Sequence, residues 1–243
     1  MAISDFFVRF LEHRDSLDAQ DLDRLSRITT ETVSFAPGEI IVPADIVASR
    51  SCMMRQGMAV RSHALVGRPQ GRVITALHVP GDFVDLHGFV LAGLEHTVIA
   101  AGPVVVEFVS HDQLTEITEN YPHLARLLWM STVIDAAVHR QWLVAAASLR
   151  SSAHLAHILC EIYTRLNLVG AARDHRFTLP LLQRELADIL GYSPIHVNRA
   201  VRDLRDRGLI RWSGAEITIL NWDGLVQLAR FDPSYLDLRK IRR

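Results

Sequence analysis

The apolar positions of the chain follow three different spacings in succession. Residues 3–28 place apolar side chains at helical intervals, beginning with the stripe Phe6, Phe7, Phe10 and Leu11. Residues 32–110 instead consist of short β-branched or aromatic stretches separated by Gly and Pro turn signals, which is typical of an antiparallel sandwich or barrel. After this region helical spacing returns, and glycine is absent between residues 111 and 169.

The longest helical pattern covers residues 122–149. Apolar or small side chains recur there every seven residues, with further apolar side chains beside them. One hypothesis is that this stripe packs against the same stripe of a second copy across a two-fold axis. The alternative is that it packs against the barrel of the same chain. The side chains predicted to form the dimer seam are Leu124, Leu128, Ser131, Ile134, Val138, Trp142 and Ala145. Ser151 and Ser152 then indicate a break before a further helix at 153–168.

Two short helices joined by a tight turn are predicted within residues 179–210. Gly191 supplies the left-handed residue that ends the first helix, and Ser193-Pro194 is a strong start signal for the second, at 194–206. The second helix turns its apolar side chains inward at i, i+3, i+4 and i+7. Its opposite face carries polar side chains with no apolar partner in the pattern, namely His196, Asn198, Arg199 and Arg202, together with Ile195.

That polar face predicts DNA recognition. Arg199 can donate two hydrogen bonds to guanine, Asn198 can pair with adenine or grip a phosphate, and Ile195 can meet a thymine methyl. For Arg202 a solvated position without DNA contact is an equally supported interpretation, because acidic residues lie beside it. Side chains near the two helix starts are placed for phosphates, and these are Gln183, Arg184, Ser193 with Pro194, and His196. Beyond the helix, Ser213-Gly214 joins two alternating strands in a wing that brings Arg211 to the DNA backbone.

Charge and cysteine content agree with a binding protein. Residues 1–149 carry 11 Lys and Arg against 17 Asp and Glu, whereas residues 150–243 carry 15 against 10, as in a sensor joined to a nucleic-acid reader. Cys52 and Cys160 stand alone, so we expect two buried thiols rather than a disulfide framework or a single-chain iron–sulfur cluster. No apolar run reaches membrane length and no export signal is evident, which predicts a cytoplasmic protein.

The segment 179–210 resembles the helix-turn-helix of the Crp/Fnr family of bacterial regulators. The resemblance is carried by Gln183, Glu185-Leu186-Ala187, Leu190-Gly191, Ser193, His196-Val197-Asn198-Arg199 and Leu204. Upstream, Pro37-Gly38-Glu39, Gln56-Gly57 and Val79-Pro80-Gly81-Asp82-Phe83 are similar to turns of that family's effector barrel. The resemblance implies an α+β chain with an antiparallel β-roll or jelly-roll sensor at 1–112, a dimerisation helix at 113–150 and a winged helix-turn-helix at 151–243. It also implies a homodimer on a palindromic double-stranded DNA site, with RNA polymerase as a partner.

The sensor departs from the cyclic-AMP-binding pattern of that family. Leu86 stands where those relatives present a Glu, and His96-Thr97 stands where they present an Arg-Ser/Thr pair for the cyclic phosphate, so cyclic AMP is not expected to bind. Together with Asp85 and His87, these residues form the candidate effector pocket. A small-molecule or anion site at His96 and Thr97, a haem or metal site that also uses His78, and an empty barrel all stay open, so the cofactor is unknown.

Two other functions compete with a sensing regulator. The first is a DNA-binding regulator that responds to no effector and is controlled by its own abundance. The second is an enzyme, but the chain lacks G-x-S-x-G, P-loop, H-E-x-x-H and G-x-G-x-x-G motifs, and no catalytic constellation is visible. The sequence therefore predicts a DNA-binding regulator that is not an enzyme.

Overall fold

A computed structural model of the chain describes residues 3–65 and 68–243. It opens with two short helices, α1 (Asp5–Glu12) and α2 (Ala19–Arg27). Each has a side-chain cap, because the Ser4 hydroxyl accepts from the Phe6 amide and the Asp18 carboxylate accepts from the amides of Gln20 and Asp21. Such caps satisfy backbone donors that have no partner within the helix.

Seven strands form two antiparallel sheets after these helices. Their bounds are β1 (Glu31–Phe35), β2 (Ile40–Val42), β3 (Arg50–Gln56), β4 (Ala59–Leu65), β5 (Arg68–His78), β6 (Thr97–Ala100) and β7 (Val104–Ser110). One sheet has the order β1-β7-β3 and the other has the order β2-β6-β4-β5. Buried side chains from both sheets, including Cys52, Met54, Val98 and Val106, form a shared core. The predicted sandwich of short strands is confirmed.

Helices dominate the chain from residue 111 onward. They begin with α3 (His111–Asn120), α4 (Pro122–Ser148) and α5 (Ser151–Val169). The long helix therefore matches its predicted extent, with Pro122 in the first turn, where a missing N–H costs nothing. The break that follows lies earlier than predicted, because α5 begins at Ser151 rather than at residue 153.

The last part of the chain combines three helices with a small sheet. Strand β8 (Arg176–Thr178) precedes α6 (Gln183–Leu190) and α7 (Pro194–Asp206), which are followed by β9 (Ile210–Ser213), β10 (Glu216–Ile219) and α8 (Trp222–Ala229). The sheet order is β8-β10-β9, so the predicted two-stranded wing gains a third strand. Helix α5 packs on both α7 and α8.

A buried polar network joins the turn after β5 to the helices α4 and α5. The carboxylate of Glu161 in α5 accepts from the Trp142 indole at 3.1 Å, from the Tyr235 hydroxyl at 2.7 Å and from Arg165 at 3.1 Å. Arg165 also donates to Asp82, in the turn after β5, at 2.5 Å. Burial raises the pKa of the Glu161 carboxyl, because the desolvation of the carboxylate outweighs the stabilisation by Arg165, Tyr235 and Trp142.

Three further contacts join parts of the chain that are distant in sequence. Arg72 of β5 donates to Asp188 of α6 at 2.9 Å, which holds that helix against the sensor sheet. At the C-terminus, Arg242 pairs with Asp18 at 2.9 Å and the Arg243 amide donates to Asp15 at 2.9 Å.

Among the residues described, no helix combines the length and the apolar character needed to cross a bilayer.

Candidate nucleic-acid interface

Helices α6 and α7 form a compact helix-turn-helix. Gly191 ends α6 at φ +69°, a left-handed conformation that glycine adopts without strain. The inward side chains of α7 are almost completely buried, with Val197 and Leu204 at 0% exposure and Ala200 at 1%. This tight seating fixes which face of α7 points outward, and that face is the one that the sequence predicted.

The outward face of the motif is free of the chain's own packing. Every residue that the sequence assigned to DNA contact is exposed, Ile195 by 65% of its surface. These residues are Gln183, Arg184, Ser193, Pro194, Ile195, His196, Asn198, Arg199, Arg202 and Arg211. They lie on the N-terminal turn of α6, on the outer side of α7 and on β9. An exposed surface of this composition can donate to phosphates and to the edges of bases.

The starts of the two helices differ from the expected capping. Ser193 occupies the N-cap position of α7, but its hydroxyl makes no capping hydrogen bond and lies 2.8 Å from Nδ1 of His196. At α6, Leu182 offers no side-chain acceptor, and Glu185 compensates by accepting from the Leu182 amide at 2.8 Å. In the first turn of α7, Pro194 has no N–H and the His196 amide donates to the Ser193 carbonyl, so it is the Ile195 amide that keeps donor capacity for an anion.

Ion pairing on α7 engages one of the two acidic residues that adjoin its arginines in the sequence. Asp203 pairs with Arg207, four residues further along the helix, at 2.9 Å. Its carboxyl has a lowered pKa because it accepts a hydrogen bond from Ser152 and a second one from Arg207. Asp203 thus already has two partners, Ser152 and Arg207.

The predicted dimer seam on α4 faces inward. Leu124, Leu128, Ile134, Val138, Trp142 and Ala145 are 1–8% exposed, and Ser131, partly buried, donates to the Leu128 carbonyl. The first part of this stripe packs on the N-terminal helices and the later part on α5 and the sensor sheet. The assignment of these residues to the dimer seam is therefore corrected, because the chain's own core already covers them.

A different stripe of α4 is exposed. Trp129 is 70% exposed, Val133 49%, Leu143 71% and Val144 55%. The positions 129, 133, 136, 140, 143 and 147 alternate steps of four and three residues, which is the spacing of a coiled-coil seam. Both sides of α4 are therefore apolar, and the sequence pattern picked out the side that the chain itself buries.

The five residues of the candidate effector pocket do not share one cavity. Leu86 is buried against the N-terminal helices, and Asp85 accepts from the Cys52 amide at 2.6 Å beside a separate cleft. Burial raises the pKa of Asp85 to about 7. Thr97, partly buried, begins β6. Only His87 and His96 come together, with their ring centroids 5.3 Å apart.

Sequence inspection missed two neighbours of His96. His63 on β4 has its ring centroid 5.6 Å from that of His96, and Glu95 directly precedes it. The signal was present only in the pairing of β4 with β6, which a single sequence does not show. His78, also considered for the pocket, is buried separately at the end of β5, and burial lowers its pKa well below the usual value.

Comparison with known proteins agrees with this geometry. Residues 153–228 match the family model of the Crp-like helix-turn-helix domain, a span that covers α6, α7 and the wing. This part of the chain is therefore a Crp-like helix-turn-helix domain. The chain is 25% identical to the transcriptional activator protein FnrA of Stutzerimonas stutzeri over 214 residues, which are 88% of this chain and 86% of FnrA. It is 27% identical to the HTH-type transcriptional regulator Cmr of Mycobacterium tuberculosis, over 88% of this chain and 80% of Cmr.

Solved structures show the same fold. FixK2 from Bradyrhizobium japonicum superposes with a TM-score of 0.73 at 23% identity, over 83% of this chain and 98% of FixK2. A Crp/Fnr-family regulator from Thermus thermophilus, TTHA1359, gives a TM-score of 0.61 at 20% identity, over 83% of this chain and 99% of its own. The Crp/Fnr architecture of sensor sheets, long helix and helix-turn-helix therefore extends over most of the chain.

Proposed function

We propose that this regulator binds a palindromic DNA operator as a homodimer, with α7 in the major groove of each half-site. The observation that carries the proposal is the exposed outer face of α7, whose polar side chains make no contact with the chain's own core. Arg199 reads guanine through two parallel hydrogen bonds, Asn198 pairs with adenine or a phosphate, and Ile195 contacts a thymine methyl. Arg202 extends the same face toward the backbone.

Phosphate contacts set the register of α7 in the groove. Gln183 and Arg184 lie in the first turn of α6, and Ser193 and His196 lie at the start of α7, where free amides favour anions. Arg211 on the wing reaches the flanking backbone. These contacts carry no sequence information, but they orient the side chains that do.

The exposed stripe of α4 supplies the dimer contact. It places Trp129, Val133 and Leu143 at coiled-coil spacing, and a second copy covers them across a two-fold axis that runs beside α4. This arrangement projects the two α7 helices in the same direction for two successive half-sites. RNA polymerase remains the expected protein partner by family resemblance.

The sensor sheets hold any effector that modulates this activity. Cyclic AMP is a poor candidate, because Leu86 lies in the core and offers no acceptor to a ribose hydroxyl. A regulator without an effector is the second candidate function, and it is favoured by the dispersal of the five predicted pocket residues.

Mapping of bound sites across the genome tests the proposal. The expected result is an enriched motif with two inverted half-sites whose centres lie one helical turn, about 10–10.5 base pairs, or a multiple of it apart. An enriched motif without inverted symmetry would contradict the homodimer, and the absence of any enriched motif would contradict sequence-specific binding.

A further inference from the structure

The pairing of β4 with β6 places two histidines opposite each other. Arg61 pairs with Val98 and Ser62 with Thr97 in antiparallel register, so the next step places His63 opposite His96. Directly opposed residues in an antiparallel pair project from the same face, with Cβ atoms about 4.5–5.5 Å apart. Glu95 adjoins this pair, and one ligand atom from each of the three side chains lies within 4.8 Å of the others.

His96 is buried without adequate partners. Its exposure is 2%, and neither ring nitrogen meets hydrogen-bond geometry with any of the residues described, although Nδ1 lies 3.3 Å from Oε1 of Glu95. A buried polar group without a hydrogen-bond partner destabilises the folded state.

We propose that His63, Glu95 and His96 form a binding site for a divalent transition-metal ion. Two imidazoles and one carboxylate are a common donor set for such ions, and three protein ligands leave a position open for water or a small molecule. Nε2 of His63 lies 2.9 Å from Oγ1 of Thr75. When that nitrogen donates its hydrogen to the hydroxyl, Nδ1 keeps the lone pair that the metal needs, and Thr75 fixes the ring orientation.

The surroundings allow the three ligands to close on an ion. Tetrahedral zinc holds its ligand atoms about 3.3 Å apart, so the cluster has to contract by up to roughly 1.5 Å. The Glu95 side chain is 72% exposed and free to rotate inward. The nearby cation of Arg61 is paired with Asp135 of α4 at 2.9 Å, which reduces its repulsion of the metal.

Metal titration of the full chain tests the site. After removal of adventitious metal with a chelator, the protein is titrated with Zn²⁺ by calorimetry, and with Co²⁺ to record the absorption of a tetrahedral ion. We expect one ion per chain. Glu95→Gln, His63→Gln and His96→Gln should each weaken binding at least about tenfold, since even outer-shell changes cost 10–100-fold. His13→Gln, an exposed histidine outside the cluster, should bind as the unmodified chain does.

Glu95→Gln distinguishes loss of the site from loss of the fold, because this exposed position can be changed without disturbing the core. Absence of uptake by the unmodified chain would overturn the proposal. So would uptake that the three variants leave unchanged, because the ion would then lie elsewhere. The titration contains no DNA, so its outcome is independent of the proposed operator binding.

Discussion

Replacement of Trp129 by Ala should disrupt the dimer while leaving the fold of the chain intact. Burial of a tryptophan side chain removes about 150–250 Å² from water, and 70% of Trp129 is exposed, so a partner can cover roughly 140 Å². At about 25 cal/mol per Å² this burial contributes about 3.5 kcal/mol. Ordering of the side chain costs about 0.5–1.5 kcal/mol, which leaves about 2–3 kcal/mol per protomer.

Because the dimer is two-fold symmetric, each substitution occurs twice in its interface. A loss of about 5 kcal/mol per dimer, at 1.36 kcal/mol for each tenfold step, raises the dimer dissociation constant by nearly four orders of magnitude. Sedimentation equilibrium of the full chain over a range of concentrations measures this constant directly. Thermal unfolding of the same samples shows whether the fold is retained.

Two variants serve as controls for the dimer experiment. Val90→Ala removes an apolar side chain that is 78% exposed but lies outside α4, and it should leave the dissociation constant unchanged. Trp142→Phe removes the indole that donates to Glu161, so it should lower stability by about 1–3 kcal/mol without acting directly on the dimer. If Trp129→Ala dimerises as tightly as the unmodified chain, the exposed stripe of α4 is not the interface.

Two further predictions concern DNA affinity and stability. Arg184→Ala should weaken binding evenly across DNA sequences and reduce the salt slope by about one unit, since it removes one phosphate contact; a loss confined to certain sequences would contradict this role. Glu161→Gln should lower the free energy of unfolding, measured in urea, by about 3 kcal/mol, because it leaves the buried Arg165 with one carboxylate partner instead of two. Tyr235→Phe removes one hydrogen bond to Glu161 and should lower it by only about 1 kcal/mol. Equal losses for the two variants would contradict the charged pair as the main contribution.

The DNA-binding motif could be predicted from the sequence because its signals are local. Gly191 and Ser193-Pro194 mark the turn within a few residues, and the inward positions of α7 repeat at helical spacing. Leu182 at the N-cap of α6 offers no side-chain acceptor, and the hydrogen bond from its backbone amide to Glu185 is evident only in three dimensions. Local chemistry therefore fixed the elements and most of their ends.

Which face of each helix or strand is buried depends on contacts with residues distant in sequence. The sequence pattern alone did not predict this face for α4. Both Trp129 and Trp142 lie on apolar stripes of α4, and only the docking of α5 and the N-terminal helices decides which one is covered. His63 and His96 are 33 positions apart and meet only through the register of β4 and β6. The contacts of Arg242 and Arg243 with the N-terminal helices likewise have no local signal.

The central claim is that the outer face of α7 reads base sequence, and Arg199→Ala tests it most directly. Competition binding compares the selected operator with a set of single-base variants, at one fixed salt concentration for both proteins. Loss of a bidentate guanine contact should weaken operator binding by about 1–3 kcal/mol and abolish the preference at a single base pair of each half-site. An unchanged preference at every position, or an equal loss for all sequences, would contradict the account.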